Sequence, residues 1–430
     1  MILTAKIQVQ PTRQVEEALW SVSRLSTKLW NACIEQRRDP NARGKVNFFT
    51  QKKELPILKK ELPEFCAPAS QALQEVVKSV DDSMKSFFQL RKNGDKDARP
   101  PGFRSSRVFF TQTYNQNKTS FDLSHPGEIR LAYGKSKKDW MIIKLPQEVA
   151  FNLVKTVDVK YDHLQKKWYV LLAHEVKCEK KKEDGLSIYF DPGCKTSLTG
   201  LRTDGQFFEY DLNPLRKINL ETFKFIDELK SKKDKIKNRN CHAFRRLNRR
   251  IQDLFRKIKT RTKNYLHTLA NKILEDHGDV KLFKVGNWDK RKTLADTGIE
   301  FVNRRINRAV QNNNPLGELI SILTYKAERL GKEASKCDER GTTRTCSECD
   351  HIHKDGIPVT QRIFECTSCG FKFSRDHQSC FNFVKKYEPV VWSRLSELFA
   401  EKRPDRSRRV DLDPFTCKSR ERTIILSKAS

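Results

Sequence analysis

Four cysteines and two aspartates carry the chemistry most readily legible in this chain. Cys346-Ser-Glu-Cys349 and Cys366-Thr-Ser-Cys369 read C-x2-C-x16-C-x2-C. Two such turns bring four thiolates together on one tetrahedral zinc ion. Four sulfur ligands leave no open position for water, so the predicted zinc is structural rather than catalytic. His351 and His353 fall in the intervening loop and read as solvent-facing or nucleic-acid contacts, and Cys337 stands outside the pairs. Asp191 ends the apolar run LSIYF and precedes Pro-Gly, which puts a carboxylate at a sheet edge where a cation can bind. Asp376, in FSRDHQSCFNF, opens a helix whose dipole favours the ionised acid. Taken singly, each acid fits a cap or turn better than a catalytic role.

The elements that must hold these groups follow from periodicity. ILTAKIQVQ alternates as a half-buried strand and stops at Pro11-Thr12 before helical patterns begin. Leu73, Val76, Val80, Met84, Phe87 and Phe88 space a helix over about 70–90, and RKNGDKDARPPGFRSSR after it reads as a basic linker. Residues 108–175 are strand-rich, with MIIKL, VKTVDVKYD and KWYVLLAHEV. The charged run 177–185 is the expected domain boundary. Beyond it, LSIYFDPG and a hairpin turning at Asp204-Gly205 predict three antiparallel strands. A long amphipathic helix over 242–274, the strand DVKLFKV, a helix over 319–329, the strand GKEASKCDE and a helix from about Arg375 complete an α/β sheet. The tail from about residue 388, with EKRPDRSRR and little periodicity, reads as basic and partly disordered.

Composition narrows the partner. The 430 residues hold 85 Lys+Arg against 54 Asp+Glu, a net charge of +31, and the excess runs the length of the chain. Such a field favours a polyanion, because basic side chains displace counterions condensed on nucleic acid. One face of the long helix carries Arg245, Arg246, Arg249, Arg250, Arg256 and Lys257, without the mixed signs of an ordinary solvated face, and is read as backbone contact to nucleic acid. The 12 cysteines in a long chain, four of them in C-x-x-C pairs, argue against a secreted disulfide framework. No apolar run reaches the span of a bilayer, and the first residues lack a signal-peptide core, so the reading is a cytoplasmic protein, or a nuclear one in a eukaryote, without membrane contact.

The order strand-DPG-C-K, long basic helix, strand, T-T-R-T-C-S-E-C, C-T-S-C-G and S-R-D-H-Q-S-C-F-N resembles the RuvC-type nuclease of TnpB proteins and of their Fanzor and miniature type V CRISPR relatives. The likeness is specific over 186–387 and looser before it, where R-P-P-G-F-R-S resembles the family's G-x-P-x-F-K/R linker. It implies an RNA-guided DNA endonuclease with an α/β RuvC (RNase H-like) domain over 186–340 and 373–387 and a zinc ribbon inserted at 341–372. It further implies a β-barrel-like wedge over 1–12 and 105–180 holding a helical recognition domain, 13–104. Zn2+ would be structural and Mg2+, as two ions, catalytic. The implied partners are guide RNA and target double-stranded DNA, with no obligatory protein partner.

Three departures stand out. Gln378 replaces an asparagine of the family's D-x-N-A-A-x-N, Asp350 follows the first knuckle where glycine is usual, and Gly286, ending KLFKV, occupies the place of the middle catalytic glutamate. Two aspartates are a thin cluster for two-metal phosphodiester hydrolysis. Replacements available nearby are Glu275, Asp279, Asp289, Glu300, Asp338 and Glu339. Glu339 ends a predicted strand beside the zinc knuckle, and sites in α/β sheets gather at the carboxyl ends of strands. The resemblance points the same way, because Fanzors and some TnpB proteins carry a relocated glutamate just before this knuckle. The expected catalytic metal ligands are therefore Asp191, Glu339 and Asp376. The competing expectations are a nuclease-inactive RNA-guided repressor, with Gly286 as its scar, and a structural RNA-binding zinc-ribbon protein.

Overall fold

The computed structural model describes residues 1–39, 41, 44–134, 139–146, 153–193, 196–287, 314–354, 356–357, 361–401 and 404–426. The chain forms two compact units, Met1–Lys177 and Cys178–Ser430, divided at the start of the charged run.

In the first unit, β1 (Ile2–Val9) leads through a Thr12 cap into α1 (Arg13–Arg38), followed by α2 (Phe48–Glu61) and α3 (Ser70–Lys92). The Thr12 side chain accepts from the Val15 amide, satisfying one orphan donor of the first turn. The three helices bury Leu29, Trp30, Ile34, Leu55, Leu73, Val76 and Val80 together. The periodicity of α3 is right at its start, but Phe88 in its last turn is exposed. Strands β2 (Gln112–Tyr114), β3 (Phe121–Asp122), β4 (Glu128–Ala132), β5 (Trp140–Lys144), β6 (Val154–Asp162) and β7 (Lys167–Glu175) follow. The expected β-barrel-like module is built as two sheets, β1-β7-β6-β2 and β3-β4-β5, over one shared core that includes Tyr114, Phe121, Ile143 and Val170.

The second unit contains β8 (Leu186–Pro192), β9 (Leu198–Arg202), β10 (Phe207–Asp211), α4 (Asn213–Asp234), α5 (His242–Asp276), β11 (Val280–Gly286), α6 (Leu316–Arg329) and β12 (Glu333–Cys337). Then come β13 (Ile363–Glu365), β14 (Lys372–Ser374), α7 (Arg375–Tyr387), α8 (Pro389–Glu401), β15 (Arg406–Leu412) and β16 (Ser419–Ile425). One sheet runs β12-β11-β8-β9-β10-β15-β16. Strands β8, β9 and β10 are antiparallel as expected, and β11 and β12 join parallel.

Because neighbours across a ladder share a face, the register sorts the side chains into two layers. Ile188, Phe190, Phe208, Tyr210, Phe283 and Val285 face α5 and α6 in one core. Tyr189, Leu201, Phe207 and Cys337 face α7, α8 and the cysteine knuckles in another. Each fully buried Leu, Ile or Phe contributes about 2 kcal/mol, so a central strand packed on both faces is strongly held.

The tail, expected to be basic and partly disordered, supplies α8, β15 and β16 over its described residues 388–401 and 404–426, with β15 pairing parallel to β10 from Phe207–Ser407 to Asp211–Asp411. The charges that suggested disorder are matched across the sheet. Arg409 meets the buried Glu209, Arg420 and Arg422 meet the buried Asp411, and Arg408 bridges Asp276 and Glu421. Burial pushes the Glu209 carboxyl up, but His377 and Arg409 more than offset this and hold it below its ordinary range.

Candidate active site

Asp191 is the penultimate residue of β8, on the α7 side of the sheet. The parallel partner β11 reaches the same level with Gly286, the next residue after the Val285–Phe190 pair. Gly286 is in turn opposite Cys337, the last residue of β12, and the Asn287 amide donates to the Cys337 carbonyl (2.8 Å). Glu339 follows two residues later. The carboxyl ends of three parallel strands thus gather Asp191, the vacant position 286 and Glu339 at one edge.

The glycine is what lets them meet. A Cβ on Gly286 would lie 2.8 Å from Glu339 Oε2, 2.8 Å from Pro192 Cδ and 3.0 Å from Phe383 Cζ. Contacts this short with a carboxylate, a ring and a packed aromatic leave no room for any side chain. The Glu339 carboxylate occupies the space into which a residue at 286 would project.

Glu339 does not form the surface ion pair that is its ordinary alternative. Arg340 pairs with Asp338 (3.9 Å), and among the described residues Glu339 has no cationic partner. Its segment is clamped from α7. Asn382 donates to the Thr342 and Thr345 carbonyls (both 2.7 Å), Gln378 donates to the Thr345 carbonyl, and Thr342 Oγ1 donates to the Glu339 carbonyl (2.9 Å). Gln378 therefore does an amide's work where the resemblance led us to expect asparagine. Lys386 holds Asp338 at 2.9 Å, and Lys385 holds Asp350 at 2.6 Å. Asp350 sits at φ +59°, a left-handed backbone that explains the usual glycine there.

Asp376 lies in the first turn of α7, with Arg362 at 3.9 Å. Ser379, one turn on, donates its hydroxyl to Asp191 Oδ2 at 2.6 Å. Sequence reading passed over Ser379, though its i+3 spacing from Asp376 put it on the same helix face. Asp191 feels the other two acids. Asp191 is pushed up to about 8, first by burial and then by the charges of Asp376 and Glu339, against the Ser379 hydrogen bond. Glu339 is pushed up to about 7, by burial and by Asp338. Burial and neighbouring like charges both disfavour the ionised carboxylate in this way, and a divalent cation reverses the effect by neutralising it. All-carboxylate donors suit a hard, oxygen-seeking ion such as Mg2+.

The other replacement acids stand elsewhere. Glu275 is exposed on α5, Asp279 pairs with Arg202 (3.4 Å) at the opposite end of β11, and Asp289 and Glu300 lie outside the described residues.

The cysteines converge as their spacing demands. Sγ atoms of Cys346, Cys349, Cys366 and Cys369 all lie within 4.8 Å of one another, the one such ligand group among the described residues, so the carboxylates are more widely spread. Cys346–Cys369 are 3.7 Å apart and Cys349–Cys366 3.6 Å. Two Zn–S bonds of ~2.3 Å at a tetrahedral angle span about 3.8 Å, so the quartet fits zinc. Burial pushes the Cys346 thiol up against the amides of Glu348 and Cys349 that point at its sulfur, whereas at Cys366 the amides of Ser368 and Cys369 outweigh burial and hold the thiol below its ordinary range. His351 is exposed beside Thr367, and His353 packs on Phe364; neither belongs to the quartet.

On α5, Arg245, Arg246, Arg249 and Arg250 are exposed, with no acidic partner among the described residues. Arg256 and Lys257 both reach Asp253, at 2.5 and 3.4 Å, so the basic face is less one-sided at that turn than its sequence suggested. No described helix is long and apolar enough to cross a membrane.

Residues 317–383, from α6 through the knuckles into α7, match the family described as Cas12f1-like, TNB domain. The chain is 30% identical over 239 residues to a transposase-like protein of Acanthamoeba polyphaga mimivirus, covering 53% of this chain and 45% of that one. It is 24% identical over 368 residues to a TnpB-like protein of Methanocaldococcus jannaschii, covering 83% and 77%. It spans less than half the length of the first curated relatives it matches. Among solved structures, Cas12f1 in a complex with single-guide RNA and target DNA aligns with a TM-score of 0.59 at 12% identity, over 89% of this chain and 98% of that one. At that identity the likeness is one of fold.

Proposed function

The chain belongs to the TnpB family, and from that premise we propose that it is an RNA-guided DNA endonuclease whose middle catalytic acid is Glu339. Guide RNA pairs with one strand of target double-stranded DNA, so base pairing reads sequence while protein reads duplex shape and a short flanking motif. The helices of the first unit and its two sheets act as the recognition and wedge modules. Arg245, Arg246, Arg249 and Arg250, with Arg256 and Lys257 at the next turns, contact the nucleic-acid backbone.

Asp191, Glu339 and Asp376 hold two Mg2+ ions. When bound, the ions activate water and stabilise the leaving oxygen of a phosphodiester. Ser379 fixes one oxygen of Asp191, leaving the other free to ligate, and the Asn382 and Gln378 clamps keep Glu339 from swinging out with its loop. Bringing the raised carboxyls of Asp191 and Glu339 to their charged forms releases protons as metal binds. Cys346, Cys349, Cys366 and Cys369 hold a structural Zn2+ that stiffens the ribbon beside Glu339.

The observation that carries this reading is the fit of the Glu339 carboxylate into the space left by Gly286. An inactivated enzyme would have no reason to keep an unpaired acid packed into that gap. The test is cleavage of matched DNA by the purified chain with its co-purifying RNA and Mg2+. Wild type is expected to cut, and Glu339→Ala to lose about three orders of magnitude in rate while still binding target. Binding without cutting by wild type would instead establish a repressor. Absence of any discrete RNA would sink both guided readings.

A further inference from the structure

The row of residues that carries Asp191 continues across the sheet. Asp191 on β8 is opposite Thr199 on β9, Thr199 is opposite Glu209 on β10, and Glu209 is opposite Arg409 on β15. Opposite residues share a face, so all four belong to the side covered by α7. Helix α7 is pinned along this row at three places. Ser379 Oγ donates to Asp191 (2.6 Å), the Cys380 thiol donates to the Thr199 carbonyl (3.3 Å), and His377 Nε2 faces Glu209 Oε1 at 3.1 Å.

The third contact controls the turn that bears Asp376. His377 is the next residue, its Nδ1 lies 2.8 Å from Ser374 Oγ, and Ser374 ends β14 immediately before the helix. Nδ1 is thus hydrogen-bonded across the junction that delivers the acid, while Nε2 lies at ion-pair distance from Glu209 without hydrogen-bond geometry. Glu209 is only 1% exposed, where an unpaired carboxylate would be costly. Arg409 supplies its counter-charge, with Nε donating to Oε2 at 2.6 Å, and reaches on toward Thr196 Oγ1 at 3.5 Å. The cation therefore comes from the C-terminal strand pair, the segment whose sequence looked disordered.

We propose that Glu209 and Arg409 are positioning residues of the carboxylate site: Arg409 fixes Glu209, Glu209 fixes His377, and His377 sets the first turn of α7 and hence Asp376. This rests on the reading of Asp191, Glu339 and Asp376 as a divalent-ion site. The C-terminal strands are on this account part of the nuclease machinery, reaching the metal site through two side chains that touch neither metal nor DNA.

The probe is Mn2+ binding to the zinc-loaded full chain, followed by electron paramagnetic resonance, with the Mg2+ dependence of cleavage as a second readout and thermal unfolding measured alongside. Glu209→Gln keeps the shape of the side chain and removes its charge. It is expected to weaken Mn2+ binding roughly tenfold and to raise the Mg2+ needed for half-maximal cleavage to match, with RNA binding unchanged. Arg409→Lys, which keeps the positive charge, is expected to lose clearly less than Arg409→Gln. That second pair carries the same comparison if Glu209→Gln fails to fold. A Glu209→Gln protein that melts earlier but binds Mn2+ as wild type does would overturn the proposal, since a merely structural role moves stability alone. If wild type shows no Mn2+ site that Asp191→Ala removes, the metal-site reading itself fails, and this proposal falls with it.

Discussion

The cysteine quartet and the carboxylate cluster of the second unit are built on opposite plans. The cysteine centre takes its ligands from two short turns, each of which brings its own backbone amides to the sulfur it organises. Local chain geometry does most of the work, and the intervening loop needs only to let the turns face each other. The carboxylate centre takes one acid from the end of β8, one from beyond β12 and one from the start of α7. None of these residues is near another in sequence, and nothing local brings them together. A local site tolerates change elsewhere, whereas a distributed site inherits every displacement of the sheet and helix that carry it.

Removing zinc is the harshest way to break this contrast. Structural zinc sites of this kind carry about 10–16 kcal/mol of apparent binding free energy, so chelation or Cys366→Ser should unfold the ribbon, β13 and β14 included. The loop from Glu339 to Thr345 lies between the ribbon and its α7 clamps, so cleavage should vanish as well. Hydrogen exchange would read the first effect and a cleavage assay the second. Exchange that stays slow at 363–374 after chelation would show that the ribbon does not depend on metal.

The pH dependence of metal-free stability comes next in size. The folded-state pKa of Asp191 is pushed up to about 8 from the 3.8 of the free side chain, so between those limits the folded chain keeps a proton that the unfolded chain has released. Stability from this group is therefore lost as pH rises from about 4 to 8, by at most about 1.4 kcal/mol per unit. Asp191→Asn removes the effect, and subtracting its unfolding free energy from that of wild type cancels other titrations, such as the buried His277. The variant should gain on wild type as pH rises in Mg2+-free buffer, and added Mg2+ should erase the gain by stabilising only wild type. A flat difference from pH 4 to 8 would mean that burial and its acidic neighbours do not hold Asp191 protonated as described.

Gly286→Ala is the finest test. One methyl group here meets Glu339 and Pro192 at 2.8 Å, and overpacking of this kind costs about 1–3 kcal/mol. In a Glu339→Ala background the carboxylate is gone, so the same change should cost measurably less. Denaturant unfolding of the four proteins of this double-mutant cycle gives the coupling directly. Simple additivity would break the claim that positions 286 and 339 compete for one space.

Much of the fold was legible because the relevant signals are short-range. The continuous apolar run of β8, the Asp204-Gly205 turn, the helical spacing of α5 and the alternation of β1 all appear where their patterns put them. The tail failed for the opposite reason. RSRRVDL has no clean alternation, and its arginines read as solvated until Glu209, Asp411 and Asp276 stand opposite them. Burial of Val410 and Leu412 comes from packing with β10 and α5, which no window of sequence contains. Phe88 erred the other way, continuing a buried periodicity past the point where neighbouring helices cover it.

The amino-acid sequence by itself determined the cysteine quartet, the strand end that bears Asp191, the strand after which Glu339 follows, the helix start that bears Asp376 and the strongly basic composition. Each of these depends on spacing within a few residues or on composition alone. Only the tertiary structure decided that Glu339, rather than Asp338 or Asp279, shares the edge with Asp191, and that Gly286 is the reason it fits. That choice turns on strand register and on a clearance of one side chain, quantities that exist only once distant segments are packed against one another.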